Sequence, residues 1–158
     1  MVSGVLMIFF FLNLSAYLRR KKTSTLLIYI SFIPGLISSI GTFFTGFFPY
    51  TLTQELHNLS ASTFFLGGFA YSVLYSVCEW RTKGISKLQA FSGFIVAFFF
   101  LLFVIFTAIN YFNPALVLKE SHLTEWLLIG VLMFWVIYQE TSMTLDKKRA
   151  LKENLNHS

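Results

Sequence analysis

Five apolar runs divide the chain, at about 3–18, 25–48, 55–79, 89–110 and 123–140, with polar or charged stretches between them. Each run is close to the roughly 20 residues that an α-helix needs to cross the hydrocarbon of a bilayer. The other backbone that satisfies its own hydrogen bonds in lipid is a closed β-barrel, whose strands alternate polar and apolar side chains. Runs such as Phe98-Phe99-Phe100-Leu101-Leu102-Phe103 do not alternate. The pattern predicts an all-α, polytopic transmembrane helix bundle with five membrane helices.

The separating stretches give the bundle a direction. Every Lys and Arg except Lys119 falls in one of three clusters: Arg19-Arg20-Lys21-Lys22; Arg81, Lys83 and Lys87; and Lys147, Lys148, Arg149 and Lys152. Basic residues that flank membrane segments are retained in the cytoplasm, which predicts an outside N-terminus, outside loops at 49–60 and 111–121, and a cytoplasmic C-terminus. The first run is not a signal peptide, because its positive residues follow the apolar stretch instead of preceding it. Tyr17, Trp80 and Tyr138 mark the inner interface, and Tyr50, Tyr111 and Trp126 the outer. The expected organisation is a transmembrane bundle over 1–145 and a short basic cytoplasmic tail over 146–158, in a multi-pass protein of the cell membrane. That tail reads as a short basic surface helix or a solvated end. The abrupt start at Met1 leaves room for a preceding helix.

Composition strengthens this reading. Hydrophobic residues make up 56% and charged residues 12% of the chain, against about 45–50% and 25% in soluble domains. The net charge of +5 lies in juxtamembrane groups, not along one stripe, and so points to anionic membrane lipids and not to nucleic acid. Cys78 is the single cysteine, which rules out an intrachain disulfide. It reads as a small apolar residue, with palmitoylation as the alternative.

Close backbone approach replaces hydrophobic burial as the drive for helix packing in lipid, so small residues mark the bundle interior. Ser31, Gly35 and Ser39 continue into Thr42 and Gly46, while Ser38, Gly41 and Thr45 form a second small face on the same helix. Gly68, Ser72 and Ser76 follow on the third helix, and Gly93 and Ala97 on the fourth. Helices two and three are expected to be the central pair. Pro34 predicts a kink near residues 30–34. Gly68 is expected against a neighbouring helix and Phe99 against lipid.

Candidate chemistry gathers at the outer face, in Glu55, His57, Glu120, His122 and Glu125. Two Glu-x-His pairs recur, and Glu125 stands one turn after His122. Imidazole and carboxylate suit a divalent metal such as zinc, which can activate water toward a lipid ester or phosphate. Glu55, His57, His122 and Glu125 are therefore candidate metal ligands, with His57, His122 and Glu125 as candidate catalytic residues. A haem bridging His57 and His122 is a further possibility. The structural alternative makes Glu125 a partner of a helix dipole, Thr51 and Gln54 a capping box, and His57 an interfacial hydrogen-bonding residue. Asn13 and Asn110 read as interhelical hydrogen-bonding groups, and Glu79 and Glu140 as solvated boundary charges. Asn58-Leu59-Ser60 matches the glycosylation triplet beside the bilayer. The lack of an Asp, Glu, Lys or Arg at a helix centre argues against an ion-coupled transporter.

Phe47-Phe48-Pro49, followed by the stretch from His57 to Tyr71, resembles two groups of multi-helix membrane proteins. One is the prokaryotic domain-of-unknown-function 998 family, and the other, more distant, is the DRAM/Frag1-like family. His57, Ala61, Phe65, Gly68 and Tyr71 match the shared pattern, and Glu125 and Trp135 resemble the last helix of the prokaryotic group. Trp126 departs from that group, which tends to have arginine there. The resemblance implies six helices, the first of them before Met1, and lipid handling as a role for the eukaryotic relatives.

These readings converge on a non-enzymatic integral membrane protein that binds lipid or assembles with other membrane subunits or with itself through the small-residue faces. The alternative is a metal-dependent interfacial lipid hydrolase built on the outer His/Glu cluster.

Overall fold

The computed structural model describes residues 1–113 and 120–156, and only the backbone at 120–122, 150, 153, 154 and 156. The described residues form five helices and no strand: α1 (Val2–Arg20), α2 (Thr25–Phe47), α3 (Gln54–Arg81), α4 (Lys87–Phe112) and α5 (Glu120–Asn156). All five are long and apolar enough to cross a membrane, the span within α5 running from Leu123 to Arg149. The first four match the apolar runs to within two residues at each end. α5 instead continues through the basic stretch to Asn156.

Each helix packs on its sequence neighbours, and α5 returns to α1, so the five close a ring whose thinnest seam lies between α1 and α5. Large apolar side chains face outward all round it, among them Ile33, Phe98 and Phe134, as expected of a bundle whose solvent is hydrocarbon. The interior is aromatic. Phe11 of α1 lies edge-on to Tyr71 and stacked on Tyr75 of α3, with centroids 4.6 and 5.6 Å apart. Tyr71 in turn faces Phe100 of α4 at 6.0 Å and Trp135 of α5 at 6.1 Å. Helices that are not adjacent in the ring thus meet through their rings across its centre.

The small residues bring the walls together. A Cβ on Gly41 would meet the backbone of Ser60 and Phe64 in α3, one on Gly4 the backbone of Ser39 and Phe43, and one on Gly35 the ring of Phe11. Ser38 Oγ donates to the Phe64 carbonyl at 2.9 Å. Gly68 sits under Phe100, and Gly93 against Ser76. The expected α2–α3 pairing and the placement of Gly68 therefore hold. Phe99 is half-buried against the core, and its neighbour Phe98 is the outward residue of that turn. α2 runs on through Pro34.

One connection differs from expectation. Thr51 and Gln54 do not make a capping box: a turn on the Pro49 carbonyl, taken by Leu52 N and Thr53 N, delays the helix, and Gln54 becomes its first residue. At the other end, Thr23 and Thr82 share a hydroxyl hydrogen bond of 2.7 Å. Lys21 reaches the Gly84 carbonyl and pairs with Asp146. The three basic clusters consequently share one end of the ring.

Candidate functional site

The residues singled out at the far end from the basic clusters separate into different environments. His57, in the first turns of α3, places Nδ1 2.8 Å from the Phe48 carbonyl, while Tyr50 lies edge-on to its ring with centroids 5.6 Å apart. Gln54 Nε2 donates to the Tyr50 hydroxyl at 3.0 Å. These contacts fasten the α2–α3 turn to the start of α3. Glu55 is exposed and Glu125 half-buried. The side chains of Glu120 and His122 lie outside the described residues. Among the described residues, no group of three His, Cys, Asp or Glu side chains converges on a metal position.

The opposite end holds a polar cluster that sequence reasoning missed. Glu79, expected as a solvated boundary charge, is only 1% exposed. Gln89 Nε2 donates to its Oε1 and Gln139 Nε2 to its Oε2, both at 3.0 Å, and Gln89 Nε2 also reaches Gln139 Oε1 at 2.7 Å. This triangle ties α3, α4 and α5 together. In low dielectric a buried carboxyl is tolerated only with such donors, because an unmatched one forfeits its hydration. Nearer the surface, the Tyr17 hydroxyl donates to Asp146 Oδ2 at 2.8 Å, the oxygen that also receives Lys21. Glu140 is not simply solvated either: Asn13 Nδ2 lies 3.1 and 2.9 Å from its two oxygens, the interhelical bond expected of Asn13. The signal was present as Glu79, Gln89 and Gln139, each near the end of an apolar run. Nothing in the chain order showed that the three runs end at one point.

Between these ends, the α1–α5 seam opens into an apolar crevice of about 400 Å³. Met7 of α1 and Leu132, Met133 and Val136 of α5 wall it, with Thr42 and Phe64 behind. Thr42 donates to the Ser38 carbonyl at 2.9 Å and also faces Met7 Sδ at 3.6 Å, so its hydroxyl is satisfied without a ligand and the crevice presents hydrocarbon. The volume lies within the roughly 300–1,000 Å³ of small-molecule sites.

No curated protein and no solved structure matches this chain. The family profile described as the Frag1/DRAM/Sfk1/Cwh43P N-terminal domain matches residues 1–140, which covers all of the ring except the extension of α5. With that match and five helices fit to span a bilayer, the chain belongs to the Frag1/DRAM family of integral, multi-pass membrane proteins.

Proposed function

We propose that the protein is a non-enzymatic lipid-binding membrane protein whose α1–α5 crevice takes a lipid acyl chain. The observation that carries this reading is the crevice itself, apolar, about 400 Å³ in volume and set in the thinnest seam of the ring. The small-residue faces that would serve assembly with other subunits are filled from within the chain at Gly35, Gly41, Gly67, Gly68 and Gly93. Lipid, not a second protein, is therefore the occupant proposed. The basic end is assigned to the cytoplasm and the N-terminus to the outside, on the retention of positive residues, with 1–145 acting as the membrane unit and the basic stretch from Asp146 as its tail. The prokaryotic domain-of-unknown-function 998 proteins join the reading as relatives on the His57 to Tyr71 pattern.

A photoreactive group near the end of a phospholipid acyl chain tests the proposal in lipid nanodiscs. Crosslinks should concentrate on Met7, Met133 and Val136. An even spread over outward residues such as Ile33 and Phe98 would refute it.

A metal-dependent interfacial hydrolase is the second reading, and one observation favours it. With Nδ1 of His57 held by the Phe48 carbonyl, the other ring nitrogen is left for a ligand, the arrangement common among zinc-bound histidines. Zinc that co-purifies with the protein and is lost in His57→Ala would support this reading; metal-free protein would remove it.

A further inference from the structure

At the basic end, a polar pocket of about 220 Å³ opens between α1, the start of α4 and α5. Buried Gln89 and Tyr17 form its floor, half-buried Ser142 and Asp146 its walls, and exposed Ser86 and Arg149 its rim. We propose that this pocket binds the phosphoethanolamine headgroup of a phospholipid, with the ammonium inward and the phosphate at the rim. The inference rests on the lipid-binding reading above but concerns a second lipid, from the leaflet on the basic side.

Charge and hydrogen-bonding capacity are divided along the depth of the pocket. Its inner part is rich in acceptors. Asp146 takes both Lys21 and the Tyr17 hydroxyl on Oδ2, which leaves Oδ1 for a further donor. Behind the floor lies Glu79, which Gln89 and Gln139 satisfy with amide donors and which no Lys or Arg pairs among the described residues. A carboxyl buried without a counter-cation takes up a proton readily, so the charge that the pocket offers an ammonium is that of Asp146. A primary ammonium brings three donors to such a wall. The rim has the opposite character. Arg149 is exposed and makes no ion pair among the described residues, and its guanidinium matches a phosphate by two parallel hydrogen bonds. A phosphate alone would bring its charge against Asp146 if it went deep. A quaternary choline group has no donor for the walls. A headgroup with a small ammonium close to its phosphate, and no further anion to meet Asp146, matches both ends.

The test uses the full chain, purified in detergent and depleted of lipid, with thermal stability read as phosphatidylethanolamine, phosphatidylcholine or phosphatidylglycerol of the same acyl chains is added. Phosphatidylethanolamine should raise the melting temperature most. Arg149→Gln changes only the exposed rim, and Ser142→Leu fills the pocket. Both should lose the ethanolamine-specific part of the rise and keep the part common to the three lipids. If Ser142→Leu fails to fold, Arg149→Gln carries the test. Equal stabilisation by phosphatidylcholine, stabilisation by phosphatidylglycerol alone, or an ethanolamine preference that survives both substitutions would overturn the assignment. An acyl-chain crosslink at Met133 that persists without headgroup preference would leave the crevice standing and remove the headgroup site alone. Loss of that crosslink together with a retained ethanolamine preference would do the reverse.

Discussion

Gly41 is where the packing account can be broken with a single methyl group. A Cβ at this position would lie 2.6 Å from Phe64 N and 2.8 Å from Ser60 O, both backbone atoms of α3. Backbone cannot rotate aside as a side-chain tip does, so Gly41→Ala must push α2 and α3 apart. Overpacking costs about 1–3 kcal/mol, and the backbone contacts put this case near the upper figure. Alanine recovers about 1 kcal/mol of helix propensity relative to glycine, leaving a net loss of about 2 kcal/mol. At about 2–4 °C per kcal/mol for a chain of this size, the melting temperature should fall by about 4–8 °C. Gly130 supplies the control, because a Cβ there meets nothing within 4 Å. Gly130→Ala should gain the propensity term alone and rise by about 2–4 °C. Thermal unfolding in one detergent, followed by tryptophan fluorescence, to which buried Trp135 contributes, reads both variants. Shifts of the same sign and size would refute the close α2–α3 approach.

Gly68→Leu should lower the melting temperature well below that of Phe98→Leu, since the first drives into the Phe100 ring and the second trims an outward side chain; equal values would displace α3 from the core. Glu79→Leu strands the Gln139 amide and one bond of Gln89, at about 1–3 kcal/mol for each buried donor left unmatched. Glu79→Gln keeps an acceptor and should cost less, so equal losses in thermal unfolding would show that the triangle contributes nothing. For topology, cysteines introduced singly at Lys83 and Thr51 without Cys78 should differ toward an impermeant thiol reagent added to intact cells. Labelling should occur at position 51 and be absent at 83, and the reverse would invert the orientation.

The membrane helices were legible because the period of hydrophobicity and the length of each run are set locally, by the lipid. The positions of Gly35, Gly41 and Gly68 were legible for a related reason: in lipid, small residues are where backbones meet. The polar end was not. Glu79 stands two residues before Arg81, which in sequence makes it a boundary charge. It is buried only because α4 and α5 bring Gln89 and Gln139 to the same point, a coincidence of register across 60 residues. Phe98 and Phe99 show the same limit on a smaller scale. In an unbroken phenylalanine run, chain order does not say which ring faces lipid, and the ring closure decides it. At the end away from the basic clusters, the Pro49 carbonyl took the Leu52 and Thr53 amides in a turn that displaced the capping box, and His57 became its fastener.

The lipid crevice is tested most directly by counting what the purified protein carries. Native mass spectrometry of the wild-type chain, extracted in mild detergent, should show a retained lipid. Met133→Trp and Ser3→Trp, which crowd the crevice from α5 and α1, should lose it while melting close to wild type. A wild-type chain free of lipid, or variants that keep as much lipid as the wild type, would contradict the account.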